Sequence, residues 1–403
     1  MTSLWRNREF TLLWTSQSLS DLGTAVASLA VPLLVLALTG SPVLAGVVAT
    51  VVQLVDLACR LPAGVLADRL DRRRTMLVCD GVRIIAFVGL GLAVAAGRAG
   101  IPLIIAVAVV DAVASTLFQT AEHASLRSIV PAGQLPAAVA RNEARSYGTS
   151  LAGPPLGGLL FGLSHALPFA GNAVSYLLSL IGVALIRKPL QAAREEAPAS
   201  HGAALAEGLR FVFGQPFLRA VLLIAAPLNF AITGFLFSIV VILQRHGTAP
   251  AVIGAAETIV GVGGLLGAFA APALQSRVSF AVLIRAICWA GAGLMALSAL
   301  LTASVLAAVP IGILVFLAPA GNAALFGYQA AITPDRLQGR VLSVVLMVAT
   351  SAAALAPLLS GVIVTVWGGP ATILVFAAAI AGSAVAATLS PAIGSMRPLE
   401  SAG

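Results

Sequence analysis

The sequence predicts an all-α polytopic membrane protein: twelve transmembrane helices in two six-helix halves, with both termini cytoplasmic. Three observations predict it. Of 403 residues, 59% are hydrophobic and only 9% are Asp, Glu, Lys or Arg, where a soluble domain carries about 25% charged residues. Mean hydropathy is +1.03. Stretches of the ~20 apolar residues needed to cross a ~30 Å hydrocarbon core recur along the whole chain. A water-soluble enzyme and a nucleic-acid-binding protein are excluded together. The net charge of +8 sits in short loops between apolar runs, which is a topology signal and not a phosphate-binding face.

The first six spans are expected near 10–38, 43–66, 76–96, 101–118, 136–163 and 168–186. The second six fall near 217–243, 252–274, 280–301, 305–331, 342–366 and 371–389. Turn residues mark the short breaks, as in Thr39-Gly40-Ser41-Pro42 and Gly368-Gly369-Pro370. No cleavable leader is expected, because the apolar run after Phe10 is too long for one. The cysteines Cys59, Cys79 and Cys288 lie in or beside apolar runs without paired spacing, so they are read as packing residues.

Basic residues set the orientation. With the N-terminus inside, twenty of the 23 Lys and Arg fall at cytoplasmic ends, Arg83, Arg145 and Arg285 counted among them. Only Arg98 and Arg245 fall opposite, and Arg60 lies within a span. Such a bias puts both termini in the cytoplasm.

The longest polar interval divides the chain into 1–187, a cytoplasmic linker 188–214, and 215–403. The linker's second part, through Leu205, Leu209 and Phe213, is amphipathic and is expected on the membrane surface. An internal repeat supports the halves. At an offset of 203, Gly64 falls on Gly267, Arg74 on Arg277, Pro131 on Pro334, Pro154 on Pro357 and Gly158 on Gly361. Phe10 meets Phe217 at 207, so a few residues slip in between.

The loop after the second span reads Gly64-Val65-Leu66-Ala67-Asp68-Arg69-Leu70-Asp71-Arg72-Arg73-Arg74. A glycine here permits close helix approach, and a carboxylate suits a neighbouring helix N-terminus. The arginines alone would also fit a plain basic loop. The run resembles G-x-x-x-D-R-x-G-R-R, the signature of the major facilitator superfamily, with Asp71 in place of its second glycine. That resemblance implies a conformational latch of Gly64, Asp68, Arg69 and Arg72 against the eleventh helix. The fifth span carries Gly153-Pro154-Pro155-Leu156-Gly157-Gly158, which resembles the fifth-helix motif of that superfamily's antiporters. Its Gly153, Pro154, Gly157 and Gly158 suit a kinked, closely packed helix. The opening Trp5-Arg6-Asn7-Arg8-Glu9-Phe10 and the run Pro334-Asp335-Arg336-Leu337-Gln338-Gly339-Arg340 resemble the macrolide-efflux and enterobactin-exporter branch. The resemblance covers nearly the whole chain and implies export without choosing a substrate.

Ionisable residues at membrane depth are functional candidates by default. Asp21, Asp111 and Glu257 are candidates for proton coupling or the substrate cavity, the two aspartates having no cation one helical turn away. The alternative for them is a hydrogen bond to a neighbouring helix. Asp56 has Arg60 four residues on and is read as an intramembrane ion pair. Glu122 and His123 are read as a solvated helix end. The superfamily's fourth-helix arginine has no counterpart beside Asp111. Gly261-Val262-Gly263-Gly264-Leu265-Leu266-Gly267 lacks the Lys of a phosphate-binding loop and is read as helix packing. No cofactor and no metal are expected.

The reading is a proton-driven exporter of amphipathic small molecules (a drug, macrolide, siderophore or other secondary metabolite). Its expected setting is a bacterial inner membrane, as a monomer in the lipid bilayer. Few polar or basic groups are expected in the cavity. Many of them would favour the alternative, an uptake symporter of the same fold; a non-transporting receptor is the more distant rival.

Overall fold

The computed structural model describes residues 4–191 and 201–394, except for the side chains of 61, 65, 67–69, 201–205 and 394. Among the described residues the elements are helices, with no strand. Ten helical stretches are long and apolar enough to cross a membrane. The chain divides into two compact units, Met1–Glu195 with Gly247–Thr258, and Glu196–His246 with Ile259–Gly403.

The first unit holds α1 (Arg8–Thr39), α2 (Pro42–Arg69), α3 (Arg72–Ala95), α4 (Ile101–Ile129), α5 (Leu135–Leu163) and α6 (Leu167–Leu185). The corner between α1 and α2 follows from three residues. Gly40 adopts the left-handed conformation at φ 63°, the Ser41 hydroxyl accepts from Leu44 N–H at 3.3 Å, and Pro42 takes the first helical position. Asp71 has an equally local cause. Its carboxylate accepts from Arg74 N–H at 2.8 Å and caps α3, a task the signature's glycine has no side chain to perform.

Within this unit α1 packs against both α5 and α6, α3 against α4 and α6, and α2 against α4. Phe10, Leu13, Met76, Phe118 and Ala121 form its apolar core. The ends of α2 and α4, the start of α3 and the chain after α6 are laced together. Arg72 donates to the carbonyls of Ala124 and Leu190, both at 3.1 Å. Ser128 also donates to Leu190, Lys188 to Ile129, and Gln191 to Leu70.

The second unit holds α7 (His201–Gly214), α8 (Pro216–Arg245), most of α9 (Pro250–Arg277), α10 (Phe280–Ala299), α11 (Ala308–Ile332), α12 (Gln338–Ser351) and α13 (Ala356–Leu389). Here α8 and α10 pack against α13, α10 against α11, and α7 against α12. Gly368, at φ 81° and ψ 177°, breaks α13 within its length. Gly263 and Gly267 of α9 lie against the backbone of α11 at Gly312 and Phe316, so the glycine run is helix packing.

Three expectations change. Only part of the apolar side of α7 is left for the membrane surface: Phe213 is exposed, but Val212 is buried, and Leu209 and Phe211 pack on a cluster containing Val341 and Val344. Glu207 clips the same helix to Arg336 at 2.7 Å and to Arg340. Within its own unit Gly64 makes no close helix approach, since an added Cβ would meet nothing within 4 Å among the described residues.

The third change concerns the repeat. The offset of 203 holds for the short 3-10 turns Ala132–Gln134 and Asp335–Leu337. Each is capped by a proline, at φ −58°, ψ 144° and φ −56°, ψ 141°. Earlier in the halves the offset is 208: α2 and α9 are both 28 residues long, from Pro42 to Arg69 and from Pro250 to Arg277. Arg69, not Arg74, therefore corresponds to Arg277.

Candidate functional site

A cavity of about 470 Å³ opens in the first unit, a size suited to a drug-like ligand. Its wall is built from α1 (Gln17, Asp21, Thr24), α3 (Arg83), α4 (Phe118, Glu122, His123), α5 (Glu143, Arg145, Pro154) and the second turn of α9 (Glu257). The lining is polar, against the expectation of a charge-poor cavity. Four carboxylates, Asp21, Glu122, Glu143 and Glu257, face two guanidinium groups, Arg83 and Arg145. The acid excess favours a cation over an anion.

Asp21 and Asp111 are not lone carboxylates. Arg145, reaching from α5, stands 3.0 Å from Asp21 and 2.8 Å from Glu122. One cation thus serves acids on two other helices. The side chains of Arg145 and Glu122 are 6% and 3% exposed, and that of Asp21 is 29%. Glu122 is therefore a buried member of this triad and not a solvated helix end. His123 bonds back to Gln119 O at 2.7 Å.

Asp111 accepts from Arg83 Nε at 2.7 Å and from the Tyr176 hydroxyl at 3.0 Å. Arg83 Nη2 donates to Tyr176 at 2.5 Å and to Thr24 at 3.3 Å, and Asn172 donates to the same hydroxyl. Asp56 accepts from Arg60 Nη2 at 2.8 Å and from the Thr116 hydroxyl at 2.8 Å, on the outer surface of the unit. Glu257 has no ion-pair or hydrogen-bond partner among the described residues.

The fifth-helix motif shapes the wall beside these charges. Gly153 and Gly157 lie on Ala25 and Val26 of α1, where a Cβ at Gly157 would stand 2.6 Å from the Val26 carbonyl oxygen. Gly158 lies on the Pro250 carbonyl, and Gly254 on that of Pro154. Side chains are absent at all four positions because backbones touch there. Of the latch residues, Arg72 is engaged within its own unit as described, and the side chains of Asp68 and Arg69 lie outside the described residues.

Sequence reasoning misses Arg83, Arg145 and Glu122 as site residues. A signal existed for the first two. Arg83 stands eleven residues after the start of α3 and Arg145 ten after the start of α5, about 15 Å along each helix at 1.5 Å per residue. That is too deep for a loop charge.

Solved structures share the architecture. A bacterial homologue of the human lysosomal transporter Spinster, inward-facing and unoccupied, is 16% identical with a TM-score of 0.72, covering 96% of this chain and 95% of that one. The nucleoside transporter NupG is 15% identical with a TM-score of 0.73, covering 96% and 100%. This is the fold of major facilitator transporters, a class of membrane carriers and not of enzymes. Residues 2–401 match the transmembrane secretion effector family, and the chain belongs to that family. The multidrug efflux pump Tap of Mycobacterium tuberculosis is 27% identical over 393 residues, 92% of this chain and 90% of Tap.

Proposed function

We propose that this chain exports amphipathic monocations across a bacterial inner membrane in exchange for protons. The observation that carries the reading is the cavity, with four carboxylates against two arginines. Similarity to a multidrug efflux pump supports export. In this proposal the protein works as a monomer in the lipid bilayer, with both termini cytoplasmic. The halves 1–187 and 215–403, joined by 188–214, give alternating access.

Twelve crossings are proposed from ten apolar stretches. Asp335–Leu389, at 55 residues, is about 80 Å long if helical and suffices for two crossings, with the break at Gly368. α5, 29 residues long, adds the twelfth, its mean hydropathy lowered by Gly, Pro and hydroxyl residues. Asp21, Asp111 and Glu257 are the proposed coupling and substrate carboxylates. Asp68 with Gly64, Arg69 and Arg72 is the proposed latch.

The test is accumulation of lipophilic cations and matched neutral dyes in cells with and without the protein, repeated with a protonophore. Lower accumulation of the cations, abolished by the protonophore, is expected. The polar lining of the cavity favours one rival, uptake symport of a polar solute. Higher accumulation would establish that direction and overturn export.

A further inference from the structure

Asp80 of α3 lies outside the cavity lining and is wholly buried, at 0% exposure. Its Oδ2 accepts one hydrogen bond, from the Ser179 hydroxyl of α6 at 2.6 Å. Its Oδ1 is buried with no hydrogen-bond partner. Its carboxylate forms no ion pair within 4.0 Å among the described residues. The charged groups that face it are both committed elsewhere. Arg83, one turn on along α3, is held by Asp111 and Tyr176, and Glu122 of α4 is held by Arg145. From α6 it meets the uncharged Ser179, behind which stands Gln17 of α1.

An ionised carboxylate in a membrane interior is tolerated when a cation or several donors compensate it. Asp80 has one donor and no cation. The cavity carboxylates Asp21, Glu122 and Asp111, by contrast, each hold a guanidinium at 2.7–3.0 Å. Gln17 connects the two regions. It lines the cavity, and its Nε2 donates to Ser179 Oγ at 3.0 Å. Asp80 is thus linked to the cavity wall through two side chains, Ser179 and Gln17.

We propose that Asp80 is a proton-binding site that fills from the cavity past Gln17 and Ser179. Loading moves one proton from cavity water to the unpartnered Oδ1, giving the neutral acid with Ser179 still donating to Oδ2. Unloading returns that proton to cavity water and leaves the carboxylate. Its use in export rests on the proton-antiport reading; its occupancy by a proton does not.

The experiment is infrared difference spectroscopy of the protein in liposomes, between acidic and alkaline buffer, for wild type, Asp80→Asn and Ser179→Ala. A protonated-carboxyl band is expected in wild type, lost in Asp80→Asn and shifted in frequency in Ser179→Ala, which keeps the acid but removes its one donor. A wild-type difference spectrum that survives unchanged in both variants overturns the site. Ser179→Ala keeps the test decisive if Asp80→Asn does not fold. In the same liposomes, Asp80→Asn should lose accumulation driven by a pH gradient and keep substrate exchange. If the band is lost while driven accumulation persists, the coupling role is overturned. If wild type carries no substrate at all, the antiport reading fails while the infrared result still decides the site.

Discussion

Replacing Arg145 by Gln should destabilise the first unit more than any single change to its partners. The substitution strands two carboxylates at once: Glu122, with 3% side-chain exposure, and Asp21, with 29%. Breaking a buried ion pair from one side costs about 3–5 kcal/mol, most of it the charge left uncompensated. Glu122→Gln removes one contact but leaves Arg145 paired with Asp21. That loss is the smaller one, because the remaining charges stay paired. For a unit of this size 1 kcal/mol moves Tm by about 2–4 °C, so Arg145→Gln should lower it by about 6–20 °C and Glu122→Gln by less. Thermal unfolding of purified protein, read by the fluorescence of its four tryptophans, gives the order. The double variant should melt above Arg145→Gln alone, because it strands one carboxylate and not two. Glu122→Gln melting as low as Arg145→Gln would refute the shared-cation account.

Gly158→Ala should cripple folding or expression because its Cβ would fall on the Pro250 carbonyl, whereas Gly162→Ala, with nothing within 4 Å, should be neutral or stabilising by up to about 1 kcal/mol; thermal melts of both variants check the contrast. Asp56→Asn and Arg60→Gln should be non-additive in a double-mutant cycle, each single change costing more than its share of the pair; full additivity would remove the ion pair from the account. Asp21→Asn and Asp111→Asn should lose accumulation driven by a pH gradient in liposomes yet retain equilibrium exchange, and wild-type accumulation in both would end their coupling role. Asp68→Asn should slow turnover while leaving substrate affinity nearly intact, which binding and transport measured on one preparation will separate.

What the sequence made legible was position along the chain. Prolines 131 and 334 mark the same 3-10 turn 203 residues apart, and Gly40, Ser41 and Pro42 write out a helix end and a helix start. The pair Asp56–Arg60 was visible because i and i+4 share a helix face. Asp21–Arg145 and Arg83–Asp111 were not, because their partners stand 124 and 28 residues apart on different helices. Helical periodicity gives depth but not which helix will stand opposite. The same blindness turned Glu122 into a helix end, and it let the positive-inside count absorb two arginines that belong to the cavity. The slip from 208 to 203 was hidden because, in a glycine- and arginine-rich chain, Gly64 and Gly267 match by composition alone.

The lacing at the end of α6 has a mechanical consequence. Chain leaving that helix is gripped at Lys188, Leu190 and Gln191 by the final carbonyl of α4, the Leu70 carbonyl just past α2 and the first residue of α3. A pull applied further along the chain therefore does not peel α6 away turn by turn. The load is shared among the ends of several helices in parallel, and each bond carries a fraction of it. A segment anchored in that way transmits displacement to the first unit as a whole, as a rope tied to a bulkhead moves the hull and not a single plank.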